Sequence, residues 1–313
     1  MCTAGWEELF TALLGTGEVA GRYQASAALA AERGSGLRVV LRTEDPVLAG
    51  LPWEAMYDNA AGTYVCRRNE LVRHIGVASV AAPLAVEPPV RILGIASSPR
   101  GLPELNVAKE KSQLASALSR LADEGIAELS WAPSATWAGL QEMLLSDRWH
   151  VVHFIGHGGF DAERDEGVLA LDGRGGQVDL VEASRLVDLL HQARPTPRLV
   201  VLNACSGGSA GVSDLFSGTA AALVRGGVSA VAAMQYEISD PAAVAFARGF
   251  YGAIAHGRGV DEAVSSGRVA IIGLNARTLE WVTPVLYLRG NNSQLFTISA
   301  THTRRRESEN WHR

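Results

Sequence analysis

The sequence predicts an α/β protein with a mostly parallel sheet, helices on both faces of that sheet, and extra strands and a helix at the N-terminus. Two features of the chain support this fold class. Continuous apolar runs of strand length recur after residue 89, and segments of helix length separate them. Strands that alternate with helices form parallel sheets, because each helix carries the chain back to the edge where the next strand starts.

Residues 1–85 predict a helix and a small β region that belong to the same fold as the rest of the chain. The helix is predicted over residues 6–30, where its apolar side serves either core packing or the docking of a partner protein. Residues 37–41 alternate and carry β-branched side chains, as expected of a strand. A hairpin that turns at Asn69 is predicted over residues 64–73.

A linker that ends in Pro88 and Pro89 separates this region from a predicted catalytic domain over residues 90–295. The strands predicted in this domain cover residues 90–96, 151–155, 199–202 and 229–234. The helices predicted there cover residues 106–124, 181–192, 215–226 and 240–256. Asn106 is the predicted N-cap of the first helix, and Gly125 is the glycine expected just beyond its end. Residues 296–313 are predicted to be a flexible tail.

The composition limits the partners of the protein. The 313 residues carry a formal net charge of -5, which argues against a general nucleic-acid binder, because such a protein needs an excess of Lys and Arg. The basic run at residues 304–306 is interpreted as part of a solvated tail. No stretch reaches the ~20 uncharged apolar residues that a membrane span requires, so no membrane partner is expected.

The cysteines indicate a reducing compartment. Cys2, Cys66 and Cys205 are odd in number and irregularly spaced, which does not suggest a disulfide framework. The N-terminus also lacks the basic start and the uninterrupted apolar run of a signal peptide. The sequence therefore predicts a cytoplasmic location.

Reactive side chains follow two of the predicted strands. The run GHGG (156–159) follows one strand and the run NACSGG (203–208) follows another. Ligands of open α/β sheets bind beyond the carboxyl ends of the strands, and glycines let a substrate approach the backbone closely. We therefore expect His157 and Cys205, which are 48 positions apart, to face each other across one cleft.

A histidine and a cysteine in this arrangement predict nucleophilic catalysis. The thiolate of Cys205 is the nucleophile, and the imidazole of His157 delivers a proton to the leaving amine. The backbone N–H groups of Gly158 and Cys205 are the predicted oxyanion donors. A lone buried cysteine is usually a small hydrophobic residue, and a lone histidine is usually structural. The joint occurrence at two glycine-flanked strand ends favours catalysis.

Metal binding and α/β-hydrolase catalysis are two alternatives for these residues, and the sequence pattern favours neither. His150, His153 and His157 lie near one another, but an i,i+4 histidine pair suits a metal only on a helix, and a strand is predicted here. An α/β-hydrolase requires a glycine two positions before its nucleophile, where this chain has Asn203. No metal and no cofactor are expected.

The motifs resemble those of a known family. The segments HFIGHGG (153–159) and VVLNACSGG (200–208) resemble the His and Cys motifs of the caspase-like cysteine peptidases, and the chain looks like a CHAT domain of that group. The likeness extends from about residue 37 to residue 290. It is supported by the segments LPWEAMYD (51–58), GVLAL (167–171) and the run at 223–251.

The resemblance implies a caspase-like fold and a cysteine endopeptidase that cleaves a specific protein. It further implies an activating sensor protein and a role in bacterial defence or signalling. A second function class stays open, in which the CHAT fold acts as a scaffold or interaction module with little or no intrinsic proteolysis. An α/β-hydrolase that uses the same cysteine is the third class.

The resemblance also implies a substrate pocket at Asn203 and Asp240. Asn203 stands where caspases have Gln, so an aspartate preference like theirs is not carried over. Asp240 is similar in position to an acid with which separases hold a basic side chain, through charge-assisted hydrogen bonds. A helix N-cap is the alternative role of Asp240, with the following proline at the first helical position. Asp161 and Glu166 are further candidate acids, with solvated loop charges as the alternative.

Overall fold

The structure is a computed structural model that describes residues 4–43, 45–76, 80–161, 163–164, 166–204, 216–275 and 277–299. Within these ranges the α-helices are α1 (Ala4–Phe10), α2 (Gly17–Glu32), α3 (Pro46–Ala49), α4 (Val65–Arg68), α5 (Val107–Asp123), α6 (Trp137–Ser146), α7 (Ala183–Leu190), α8 (Ser217–Gly226), α9 (Asp240–Ala255) and α10 (Val260–Leu274).

The strands of the same ranges are β1 (Arg38–Leu41), β2 (Tyr57–Asp58), β3 (Thr63–Tyr64), β4 (Glu70–Ile75), β5 (Leu84–Val86), β6 (Val90–Ala96), β7 (Ala127–Trp131), β8 (Val151–Gly156), β9 (Gly158–Asp161), β10 (Glu166–Asp172), β11 (Val178–Glu182), β12 (Leu199–Ala204), β13 (Ala230–Met234), β14 (Pro284–Arg289) and β15 (Phe296–Ile298). Shorter helical turns cover Thr11–Gly15, Trp53–Ala55, Arg174–Gly176 and Glu280–Val282.

A central sheet confirms the predicted fold class. Its described strands lie in the order β1-β4-β14-β13-β12-β8-β6-β7. Neighbouring strands in this order are parallel, except for the antiparallel pair β13 and β14. The apolar side chains of α5, α9 and α10 pack on one face of this sheet, and those of α6, α7 and α8 pack on the other.

The predicted elements of residues 90–256 are confirmed, with bounds that shift by one or two residues. In α5 the Asn106 side chain accepts a hydrogen bond from the Lys109 N–H at 3.0 Å, as its predicted N-cap role requires. Gly125 follows the helix with a φ of 68°, a left-handed conformation that glycine adopts without a steric penalty.

The N-terminal strands β1 and β4 extend the central sheet beyond β14, so residues 38–75 share one sheet with the predicted catalytic region. A buried ion pair between Arg73 and Glu54, at 2.6 Å, ties the segment before β2 to this part of the sheet. Arg73 also donates to the side-chain oxygen of Gln235, the residue just after β13, at 3.1 Å.

The predicted hairpin over residues 64–73 is wrong. Residues 65–68 form the short helix α4, and β4 pairs in parallel with β1 instead of with a preceding strand. The physical reason is that β1 and β14 occupy the two edges of β4, so no edge is left for a hairpin partner. The Cys66 thiol also donates to the Glu54 carbonyl at 2.8 Å, which fixes this turn of helix.

The prediction of a flexible tail over residues 296–313 is wrong for residues 296–298. Residues 296–298 form β15, which pairs in parallel with β5 inside the expected linker, and Phe296 is buried. Its apolar side chain packs into the core, so these residues are part of the fold. Residues 300–313, including the basic run, lie outside the described residues. Nowhere in the described ranges is a helix long and apolar enough to cross a membrane.

Candidate active site

The two strands that precede His157 and Cys205 are neighbours in the sheet. β8 and β12 run in parallel, and Gly156 pairs with Ala204 at their carboxyl ends. His157 directly follows Gly156, and Cys205 directly follows Ala204. Cys205 itself, with the rest of residues 205–215, lies outside the described residues.

The His157 ring is held by the backbone of a neighbouring loop. Its Nε2 lies 2.8 Å from the carbonyl oxygen of Pro103, in the loop between β6 and α5. A carbonyl oxygen only accepts hydrogen bonds, so Nε2 carries a proton and Nδ1 is the nitrogen available for proton exchange. The His157 carbonyl in turn accepts a bond from the Ala170 N–H at 3.0 Å, which fixes the backbone at this turn.

Pro103 is a site residue that sequence reasoning missed. Every residue has a backbone carbonyl group, so the amino-acid sequence does not show which carbonyl will bind His157. The available signal was topological, because β6 lies next to β8 and the loop after β6 must start at the same edge of the sheet as His157.

The backbone of Gly158 is pressed against α8 and leaves no room for a side chain. An added Cβ would lie 2.1 Å from Cε1 of Phe216, at the start of α8. In the antiparallel pair of β9 and β10, the His157 carbonyl bonds across to Ala170, so the next residue, Gly158, directs its N–H away from β10. This N–H therefore takes no part in the hydrogen bonds between β9 and β10.

A second close approach follows along the same pair of strands. A Cβ on Gly167, in β10, would lie 2.2 Å from the backbone nitrogen of Thr219, in α8. The Thr219 hydroxyl donates to the Gly159 carbonyl at 3.3 Å. The strands after His157 are thus fixed against α8 by direct backbone contact.

A narrow cavity lies on the other side of the strand ends, between α5 and α9. His153 from β8 and Asn203 from β12 form its floor, and Gln113 from α5 and Tyr251 from α9 form its walls. The space inside is about 20 Å³, enough for about one water molecule. Asn203 therefore lines this cavity.

Two buried polar side chains of the cavity floor are incompletely paired. The Nδ1 of His153 lies 2.6 Å from the Tyr251 hydroxyl, and its Nε2 has no hydrogen-bond partner among the described residues. The Oδ1 of Asn203 is also buried without a partner in those residues. Burial lowers the pKa of His153 to about 3, so this imidazole is neutral at physiological pH.

Asp240 is the first residue of α9, one turn before Ala243, which lines this cavity. Its carboxylate is paired with the Lys109 ammonium and accepts a hydrogen bond from the Gln113 side chain. The bond from Lys109 is the main cause that holds the pKa of Asp240 below its ordinary value. The carboxylate is therefore ionised and directed toward α5.

The alternative N-cap role of Asp240 is wrong. Ser239 has the extended backbone of the N-cap, and Asp240 and Pro241 are the first two helical residues. The helix starts there because the Glu280 carboxylate accepts the Ser239 N–H at 2.6 Å and so fixes the preceding turn.

The other candidate acids serve local structure. Asp161 pairs with Arg164 and accepts the backbone N–H groups of residues 163 and 164, which closes the turn after β9. Glu166 accepts both the N–H and the hydroxyl of Ser184 at the start of α7, at 2.6 and 3.2 Å. The structure brings neither acid to the cavity.

The histidines that prompted the metal alternative point to separate partners. The Nδ1 of His150 accepts the Arg91 N–H at 2.9 Å, whereas His153 and His157 bond to Tyr251 and Pro103. In the described parts of the chain, no three His, Cys, Asp or Glu side chains converge on a point where a metal ion could bind.

The CHAT domain profile matches residues 7–307, which is nearly the whole chain. The chain belongs to the CHAT domain family. The resemblance stated from the His and Cys motifs is therefore confirmed. No curated protein matches this CHAT chain significantly.

Several solved structures are similar to the CHAT chain at low identity. The separase of the Saccharomyces cerevisiae separase–securin complex is 16% identical, with a TM-score of 0.42 over 77% of this chain and 14% of separase. The Arg specific cysteine proteinase gingipain R is 14% identical, with a TM-score of 0.41 over 67% of this chain and 48% of gingipain. The Drosophila initiator caspase Dronc is 12% identical, with a TM-score of 0.40 over 70% of this chain and 95% of Dronc.

Proposed function

We propose that this CHAT protein is a cysteine endopeptidase that cleaves a specific protein partner, with Cys205 as nucleophile and His157 as proton carrier. The pairing of Gly156 with Ala204 is the observation that supports this proposal most directly. Parallel strands in this register end at the same edge, so the residues that follow them start side by side.

The geometry around His157 suits the proton transfers of amide cleavage. His157 takes the thiol proton of Cys205 on Nδ1, and the resulting thiolate attacks the scissile carbonyl carbon. The imidazolium then gives this Nδ1 proton to the leaving amine. Nε2 keeps its own proton throughout and donates a hydrogen bond to the Pro103 carbonyl, which holds the ring in place. A water molecule then hydrolyses the thioester, and the Cys205 thiol is restored.

The oxyanion of the tetrahedral intermediate is bound by the backbone N–H groups of Gly158 and Cys205. The N–H of Gly158 is suited to this role because it is directed away from β10 and its peptide is packed against Phe216. Fixed donors of this kind stabilise the transition state without reorganising, and one of them typically contributes ~10²–10³ in rate.

The cavity between α5 and α9 accepts the side chain that precedes the scissile bond, and we propose that this side chain is basic. The ionised Asp240, one turn before Ala243, supplies a negative charge. The unpaired Asn203 oxygen in the floor supplies a hydrogen-bond acceptor. A guanidinium or ammonium group carries only donors, so acceptors of both kinds favour Arg or Lys.

The setting of this activity is carried over from the CHAT resemblance. We place the protein in the cytoplasm, in bacterial defence or signalling, where a sensor protein activates it. The net charge of -5 supports a protein partner over direct binding to nucleic acid. The narrowness of the cavity, about 20 Å³, also supports activation by a partner that opens it.

The test is cleavage of fluorogenic peptides with Arg, Lys, Asp, Leu or Ala before the scissile bond. We expect cleavage after Arg and Lys, and a loss of at least ~10³-fold in kcat/KM in Cys205→Ala and His157→Ala, because the two groups act as a unit. Asp240→Asn should lower cleavage of the basic peptides and leave the cleavage of the others unchanged.

A thiol-reactive peptide probe distinguishes the peptidase from a CHAT scaffold. Cys66 is a suitable internal control, because burial raises the pKa of its thiol to about 11 and it should not react. Labelling that disappears in Cys205→Ala supports the peptidase. An unlabelled Cys205, together with no cleavage in the presence of candidate partners, would establish the scaffold instead.

A further inference from the structure

An ion pair joins the first turns of α5 and α9, next to residues of both helices that line the cavity between them. Lys109 lies in the first turn of α5, and its ammonium binds the carboxylate of Asp240 in the first turn of α9. Both side chains are partly exposed, at 52% and 37% of their surface. The pair is thus accessible to solvent on its outer side and adjoins the cavity on its inner side.

Gln113 connects this ion pair to the interior of the cavity. Its side chain bonds to Asp240, and because a carboxylate only accepts, the amide nitrogen must be the donor. The amide oxygen of Gln113 is then turned away from Asp240, and it is buried without a partner among the described residues. The orientation of this amide is therefore fixed by chemistry.

Unpaired groups now line the cavity from its mouth to its floor. They are the Gln113 oxygen, the Asn203 oxygen and the Nε2 of His153, all without a partner in the described part of the protein. Asn203 and His153 are more than nine-tenths buried. The oxygens of Gln113 and Asn203 are acceptors, and unpaired buried acceptors are unfavourable, so this cavity is suited to a ligand that brings N–H donors.

We infer that Lys109 is an internal cation that occupies Asp240 in the free protein and is replaced there by the basic side chain of a substrate. This inference rests on the proposed basic specificity of the same pocket. Replacement of one cation by another keeps the charge at Asp240 balanced. The loss of the Lys109 bond also frees α5 from α9. The incoming side chain requires this separation, because the closed cavity has room for only about one water molecule.

The exposure of the ion pair sets the size of the effect. Exposed ion pairs are weak and are screened by salt, so Lys109 competes with a ligand without blocking it. We expect removal of the ammonium to tighten the binding of a basic ligand by roughly 3- to 5-fold. Lys109 is therefore a specificity-determining residue, since it affects basic ligands and leaves neutral ones unaffected.

The experiment uses the full-length protein and butylguanidinium, which reproduces the end of an arginine side chain. Its dissociation constant is measured by NMR titration from the amide signals of Ala243 and Ala247, which line the cavity. Butylurea has nearly the same shape without the charge and serves as the ligand control. The variants are Lys109→Met, which keeps the length of the side chain, and Asp240→Asn.

Lys111→Met is the matched protein control. Lys111 lies on the same helix, two residues further on, and its ammonium lies 5.1 Å from the centre of the Trp131 ring, outside the cavity. We expect Lys109→Met to bind butylguanidinium 3- to 5-fold more tightly than the wild type. Lys111→Met should bind like the wild type, and Asp240→Asn should lose binding. Butylurea should show no difference among the four proteins.

Equal or weaker binding of butylguanidinium in Lys109→Met would overturn the inference, and so would the absence of any binding. These outcomes are independent of the proposed peptidase activity. If peptides are cleaved but Lys109→Met changes no affinity, the peptidase stands and the competition by Lys109 is rejected. If the affinities change as expected but Cys205 is inert, the cation site stands and the peptidase is rejected.

Discussion

The two faces of the sheet near the end of β8, just before His157, differ in how tightly they are packed. On the α8 side, Gly158 and Gly167 bring the strands so close to Phe216 and Thr219 that an added Cβ would lie about 2 Å from a neighbouring atom. On the α5–α9 side, a cavity remains and its buried polar atoms lack partners in the described chain.

This difference separates two tasks at one site. Groups that carry out the chemistry must be held in place before the substrate arrives. Close packing of the backbone fixes them, so they need not reorganise during the reaction. Groups that recognise a side chain must be left unpaired so that the ligand completes their hydrogen bonds. We expect substitutions on the two sides to differ accordingly, with large effects on stability on the packed side.

The largest effect is expected from Gly167→Ala. Its Cβ would lie 2.2 Å from the Thr219 backbone nitrogen, which no side-chain rotation relieves, so α8 must shift. We expect a loss of at least about 3 kcal/mol in the free energy of unfolding, seen as a lower Tm. Gly159→Ala is the matched control, because its Cβ meets nothing within 4 Å and its effect should stay below about 0.5 kcal/mol. Equal effects in the two variants would remove the distinction between the two sides.

A smaller effect is expected from acid on the cavity side. The pKa of His153 is lowered by burial to about 3, below the ~6.5 of an unfolded chain. Below pH ~6.5 the unfolded chain binds a proton that the folded protein does not, so stability is lost as the pH falls. Between pH 6.5 and 5 the wild type should lose about 2 kcal/mol more than His153→Asn, which keeps a partner for the Tyr251 hydroxyl.

His150 provides the comparison for this acid effect, because burial lowers its pKa to about 4 but it lies outside the cavity. In His150→Asn the contribution of His153 remains, so acid sensitivity should persist in part. Thermal unfolding at several pH values measures the acid sensitivity of both variants. If His153→Asn unfolds with the same pH dependence as the wild type, His153 has an ordinary pKa and water reaches the cavity floor.

The smallest effect on stability is expected from Gln113→Met. Methionine fills a similar volume, removes an oxygen that has no described partner and loses one bond to the partly exposed Asp240 carboxylate, so the free energy of unfolding should change by less than about 1 kcal/mol. The ratio of kcat/KM for Arg peptides over Leu peptides should nevertheless fall, since one acceptor of the pocket is gone. A large loss of stability with an unchanged ratio would assign Gln113 to packing.

The central elements could be predicted because burial leaves a clear pattern in sequence. The strands β6, β8, β12 and β13 are predominantly apolar, since both faces of these strands are covered. The caps of α5 could be predicted for a similar reason, because Asn106 and Gly125 act through local geometry alone. The position of His157 just after β8 could be predicted because the buried strand before it and the glycines around it mark a strand end.

Features that depend on distant partners could not be predicted. The composition of residues 65–68 is typical of a strand, but these residues form a helix in which the Cys66 thiol donates to the Glu54 carbonyl. The role of the Pro103 carbonyl depends on a loop position that residue type does not record. The pairing of Lys109 with Asp240 joins residues that are 131 positions apart, so only the packing of α5 on α9 reveals it.

The placement of β4 beside β14 has a consequence for how the chain can be divided. Arg73 donates across this boundary to the Gln235 side-chain oxygen and to the Tyr287 hydroxyl, so the first strands are joined to the sheet by buried side-chain hydrogen bonds as well as by backbone bonds. A protein shortened to begin at residue 90 would expose the edge of β14 as a row of unpaired N–H and C=O groups. Such an edge recruits strands from other molecules, so the truncated protein should self-associate more than the whole chain does.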